Sequence, residues 1–308
     1  MPDAWPPLPP WDATRDTLHR WLQVVGKVRL ALAPWTNHSW HVPLYVTPRG
    51  LTSGPVPHGA RLFEVRLDLV GHRLDVVTDG DGAGFGLGPM SVAAFHDRLM
   101  DTLGGLGLGV EIHGAPNEVE DATPFAEDHG RDAYDATAVA AFGAALRQSH
   151  RVLSLFRARF RGKASPVHFF WGSFDLAASR FSGRPAPTEH PGGFPNLPDW
   201  VAREAYDAEV WSAGFWPGDA AHDPLFYAYA VPEPDGFSGA EVAPEAARYD
   251  GDLGEFVLSY EAVRTGGDEA LLTFLESTYA AAVDREPAWA GLEAAPPGPA
   301  RPRRLRPR

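Results

Sequence analysis

Seven residues recur at intervals of three and four between positions 139 and 160: Val139, Phe142, Leu146, Ser149, Leu153, Phe156 and Phe160. That spacing puts them on one face of an α-helix. The helix predicted over about 135–160 is roughly 39 Å long and needs a partner layer to cover its stripe. Its one polar step, Ser149, is small enough to pack. A second helix is predicted from about Thr14 to Leu32, with Leu18, Trp21, Leu22, Val25, Val28 and Leu32 on one face. Arg29 falls inside that face, and a charge there requires a partner or a route to water. His19, Gln23 and Lys27 lie on the opposite side.

Between and after these helices the period changes to two. In RLFEVRLDL (61–69), Phe63, Val65, Leu67 and Leu69 point one way and Glu64, Arg66 and Asp68 the other. This is the pattern of an antiparallel strand with one wet face. HRLDVVTDG (72–80) reads as its partner. SVAAFHDRLMDTL (91–103) reads as a short helix with Ser91 as N-cap, and LGVEIH (108–113) as a strand. Further strands are expected at about 39–46, 165–177, 206–216, 224–231 and 255–261, with a closing helix carrying Leu272, Leu275 and Tyr279. The fold class is therefore α+β, with antiparallel sheets and packed helices. Both halves read helix, strands, helix, which raises a pseudo-repeat without residue-level similarity. The expected organisation is an N-terminal half at 1–116, an acidic connector at 117–134, a C-terminal half at 135–286 and a disordered Pro/Arg tail at 287–308.

Composition limits function. The 308 residues carry a net charge of −13 even with five arginines in the last eight positions. Such a body repels nucleic acid and anionic membrane surfaces, so neither is an expected partner. The absence of cysteine excludes disulfides, thiolate metal sites and cysteine nucleophiles. No signal peptide and no 18-residue apolar run is visible, so a soluble cytoplasmic protein is expected. DGDGAGFGLG (79–88) matches neither Gly-rich nucleotide fingerprint and reads as a hairpin. The acidic connector lacks EF-hand spacing, and no Gly-x-Ser-x-Gly elbow is present.

The words WPPLPP, TLHRWLQVVGKVRLAL, NHSWHVPLYVTPRGL, PNEVEDATPF, SPVHFFWGSFDLAASRFSGR and SAGFWPG occur in this order up to about residue 293. In these the chain resembles a family of uncharacterised bacterial proteins grouped as a domain of unknown function. The resemblance implies a family-wide fold and carries no catalytic assignment. Where that family usually has a Ser-His-Glu run this chain has Asp207, Ala208 and Glu209, which weakens any metal or proton-relay role there.

Three constellations hold candidate chemistry. On a regular strand over NHSWHVPLYVTPRG, His41, Tyr45 and Arg49 share a face and supply a base, a donor and an anion clamp, unless Pro43 breaks the parity. In HFFWGSFDLAASRFSGR, His168 and Asp175 fall on opposite faces of a strand buried on both sides, with Trp171 beside Asp175. In the third, Glu204 and Glu209, joined to His41 and His168, have the composition of a two-histidine, carboxylate metal site but no tight ligand spacing. Glu118, after Pro116 and Asn117, is the connector residue singled out.

The leading expectation is a small-molecule pocket between the two halves, with catalysis left open. His41, His168, Tyr45 and Glu209 are its candidate catalytic groups, and Arg49, Trp171, Asp175 and Glu118 its candidate substrate-binding groups. A non-catalytic binding or scaffold protein and a metal-dependent hydrolase are the alternatives. No cofactor is assignable, and a protein partner is unknown.

Overall fold

A computed structural model describes residues 5–286 and 289. Most of the tail expected from residue 287 lies outside the described residues. The fold is α+β. The expected helices form as α1 (Asp12–Leu32), α2 (Val92–Gly105) and α3 (Ala136–Arg157). Ser91 caps α2 by accepting the Ala94 N–H at 3.1 Å, and Asp135 caps α3 by accepting the Thr137 and Ala138 N–H groups at 2.8 and 3.1 Å. A short α4 (Asp199–Ala205) and a long α5 (Tyr260–Arg285) complete the α-helices among the described residues.

The strands form two six-stranded antiparallel sheets. In the first, β1 (Tyr45–Thr47), β2 (Gly50–Thr52), β4 (Arg61–Asp68), β5 (Arg73–Thr78) and β6 (Gly82–Gly86) follow in that order, and β3 (Val56–His58) also pairs with β4. The alternation in β4 has its expected effect, with Phe63, Val65 and Leu67 buried. The second sheet contains β7 (His168–Phe170), β8 (Asp175–Pro185), β9 (Ala208–Trp216), β10 (Leu225–Val231), β12 (Glu255–Ser259) and β11 (Arg248–Asp250), adjacent in that order. Leu44 and Phe169 join the sheets, each donating its N–H to the other's carbonyl at 2.8 and 2.7 Å.

One face of the second sheet packs on α3 and α5. Trp211 lies 5.4 Å from both Phe156 and Tyr279, and Phe226 stacks on Tyr260 at 6.2 Å. Because side chains alternate along a strand, the opposite parity of β8, β9 and β10 is turned away from those helices. That second face carries the site described below.

Three expected strands differ. Residues 108–113 make no ladder. Residues 39–46 do not run extended: a 3-10 turn covers Asn37–Ser39, His38 and Ser39 have φ of 58° and 57°, and the strand begins at Tyr45. Residues 165–177 are not one strand, because Trp171–Phe174 form a turn with Phe174 at φ 62°. Phe170 therefore pairs with Asp175 across a hairpin. Left-handed φ on a non-glycine residue has no reliable sequence sign, so these reversals escape pattern reading.

Arg29 finds the partners its place on an apolar stripe demands. Its guanidinium donates to the carbonyls of His41 at 2.6 Å, Pro43 at 2.5 Å and Ser53, and lies 5.1 Å from the Tyr45 ring.

Candidate functional site

The free face of the second sheet forms the floor of a cavity of about 1010 Å³. Its opposite walls come from α1, the 35–42 and 113–118 segments, and the 190–206 region. Across the floor Ala177, Gly214 and Tyr227 stand in one row, and Ser179, Ser212 and Tyr229 in the next. Ala177 and Gly214 are small, so Tyr227 lies across Gly214 and donates its hydroxyl to Asp175. Ser173 donates to the other Asp175 oxygen at 2.5 Å. The Ser179 and Ser212 hydroxyls are 3.0 Å apart, as are those of Tyr206 and Tyr229.

Glu118 enters from the connector, and its backbone is held from both sides. Gln23 donates to the Asn117 carbonyl and accepts the Asn117 N–H, both at 2.8 Å. Lys27 donates to Asn117 Oδ1 at 2.5 Å. From the far side Glu118 N–H donates to the Pro195 carbonyl at 2.8 Å, and Asn196 donates to the Val119 carbonyl at 2.6 Å. Glu118 itself has φ 58°. Its carboxylate lies against Gly172, where a Cβ would collide with Oε1. His19, one helical turn before Gln23, donates through Nε2 to the Trp171 and Gly172 carbonyls at 3.0 and 2.9 Å and fixes that turn.

Burial sets the charge states. It pushes the Glu118 carboxyl up to about 7, with Asp175 adding to the shift and Lys27 opposing it. Lys27 is brought down to about 8 by burial, against the pull of Glu118. Glu255, also on the cavity wall, is raised to about 8 by burial and by the Asp175 and Asp250 charges. Burial raises Asp175 too, although its hydrogen bonds from Ser173 and Tyr227 work the other way.

A model described as a family of unknown function (DUF5996) matches residues 5–291. The chain belongs to that family. No curated protein and no solved structure matches it.

Of the eight candidate catalytic and substrate-binding residues in this DUF5996 chain, Glu118, Trp171 and Asp175 meet in the cavity. The other five lie elsewhere. His41 is buried behind Trp35, with its ring centroid 4.3 Å from that indole and its Nδ1 facing the Thr36 N–H at 3.2 Å. His168 is sealed between Trp40 and Phe170, with neither ring nitrogen hydrogen-bonded among the described residues. Tyr45 faces Arg29, and Arg49 is an exposed partner of Asp68 at 2.7 Å. Glu209 pairs with Arg184 at 2.9 Å and with Ser182 at 2.6 Å, beside a separate cavity of about 250 Å³. Among the described residues no three His, Asp or Glu side chains gather closely enough to share a metal ion.

Pattern reading set His19, Gln23 and Lys27, spaced by four, together on one side of the helix but gave them no part in a site. Polar residues stacked on one side of a helix ordinarily face solvent. Here Gln23 and Lys27 are buried. It also missed Tyr227 and Tyr229, although LFYAYAV shows them two apart and hence on one face.

Trp171 offers a stability test of the cavity wall. Its Nε1 donates to the Val42 carbonyl at 2.9 Å, and a Cβ at Gly26 would fall inside its indole. Gly26→Ala is expected to destabilise the protein by about 2 kcal/mol, because overpacking outweighs the gain in helix propensity. Urea denaturation measures this, and an unchanged midpoint would mean that Trp171 has room to swing aside.

Proposed function

We propose that this protein binds a small organic molecule in the cavity and exchanges a proton with it through Glu118. The observation that carries the reading is where unusual backbone collects. Among the described residues six non-glycine residues have positive φ, and four of them, His38, Ser39, Glu118 and Asn196, line this one cavity. Such conformations cost about 1–3 kcal/mol each and persist where the surroundings enforce them, commonly at binding and reaction sites. One of the four aims a carboxylate that has no hydrogen bond among the described residues.

The chemistry follows from Glu118 and Lys27. Their pKa values, about 7 and about 8, place both groups near neutrality. As a carboxylate Glu118 accepts a proton from a bound acid, and as a carboxyl it returns one. The ammonium of Lys27 steadies the carboxylate form. Asp175, held by Tyr227 and Ser173, fixes the local field.

Two measurements test the reading. N-phenyl-1-naphthylamine, a neutral fluorescent probe of apolar cavities, is expected to brighten with the wild-type protein and much less with Ala177→Leu or Ser212→Leu. Equal brightening in all three folded proteins would locate binding elsewhere. Carbon-13 NMR of labelled glutamate, assigned by Glu118→Gln, is expected to show a carboxyl titrating near pH 7. A midpoint near 4.5 would remove the proton-transfer role.

A further inference from the structure

The acids on the cavity wall are not equivalently partnered. Asp175 receives two hydroxyls, and Glu118 faces Lys27. Glu255 stands apart. Among the described residues its carboxylate makes no hydrogen bond or ion pair, and the charges acting on it, Asp175 from β8 and Asp250 from β11, are both negative. The groups on which its charge acts are phenols, among them Tyr229 and Tyr249. Phe256 pairs with Ala228, so by the same register Glu255 is directed towards Tyr229. Glu255 also acts electrostatically on Tyr206 and Tyr227.

Those three rings form a connected surface. Tyr227 and Tyr229 stack at 5.9 Å and 17°, and Tyr206 lies 6.4 Å from Tyr229 at 56°. A buried carboxyl ionises readily only beside a compensating charge, and aromatic faces attract cations. Resting on the reading of the cavity as a small-molecule site, we infer that its ligand is an organic cation with an apolar body, its charged nitrogen seated by Glu255 among Tyr206, Tyr227 and Tyr229. The cavity lining also includes Trp216, Trp35 and Trp200, the last two exposed with ring centroids 5.1 Å apart, and such apolar surface would receive the ligand's body. An anionic ligand is disfavoured because Asp175, Glu118 and Glu255 all face the same space.

The test uses three probes that differ only in the head group: 4-phenylbutylamine, 4-phenylbutan-1-ol and 4-phenylbutanoate, titrated calorimetrically into the full chain at pH 8.5. The amine is expected to bind at least tenfold more tightly than the alcohol, and the carboxylate more weakly than either. Glu255→Gln is expected to bring the amine within about twofold of the alcohol. Wild-type protein binding the alcohol or the carboxylate as tightly as the amine would overturn the cationic class while leaving the small-molecule reading standing. An amine preference that survives Glu255→Gln would overturn the placement of the charged nitrogen. No binding by any of the three would overturn both readings.

Discussion

Replacing Arg29 with methionine is expected to lower the unfolding free energy by about 4 kcal/mol, as for other buried charges whose partners are left alone. The guanidinium is the shared donor for three carbonyls, those of His41, Pro43 and Ser53. Methionine fills much of the volume but donates nothing. Each abandoned buried carbonyl costs about 1–3 kcal/mol, less whatever water or relaxation recovers. For a chain of this length the loss corresponds to a fall of roughly 6 °C in Tm. Lysine is expected to rescue only part of it, because one ammonium cannot reproduce the planar fork that reaches two segments at once. Thermal and urea unfolding measure both variants. A methionine variant within about 1 kcal/mol of wild type would show that these carbonyls find other donors.

The second large effect concerns His168, which is completely buried with no hydrogen bond to either ring nitrogen among the described residues. Burial, reinforced by the Arg29 and Arg157 charges, lowers it to about 3. In the unfolded chain it titrates near 6.5. Between those values the unfolded state holds the extra proton, so the contribution to stability is complete above pH 6.5 and is lost as pH falls. His168→Leu removes that loss and the two unpartnered nitrogens. The variant is expected to be more stable than wild type by about 1–2 kcal/mol at pH 7.5, and by a further ~3 kcal/mol at pH 4.5. His19 shifts in the same direction, whereas Glu118 and Glu255, both raised, lose their contribution as pH rises. These groups are common to both proteins and cancel in the comparison. Parallel stability curves across pH 4.5–7.5 would contradict a neutral, sealed ring.

The two histidines that drew most weight as catalysts, His41 and His168, are the ones the fold withdraws from the cavity. What was legible in the sequence was whatever repeats. The stripe from Val139 to Phe156 yields α3, and the alternation of Phe63, Val65 and Leu67 yields β4. What was not legible depends on single residues that reverse the chain. A pattern of two extended through His41 to Tyr45 assumes continuous extended backbone, and His38 and Ser39 break it with φ near 58°. The same assumption separated His168 from Asp175 by strand parity, whereas a four-residue turn brings Phe170 opposite Asp175. Glu118 was visible only as an acid after Asn117. Its importance comes from Gln23, nearly a hundred residues earlier, and no local pattern reports a contact at that distance.

The grip of Gln23 and Lys27 on Asn117 has a consequence for recognition. Because the connector is clamped from α1 on one side and from Pro195 and Asn196 on the other, the Glu118 carboxylate is aimed before any ligand arrives. The conformational freedom that an encounter would otherwise remove has been surrendered during folding. Under the proposed function, a molecule entering the cavity would meet a template rather than a loop waiting to be shaped, and selectivity would rest on shape and charge already in place.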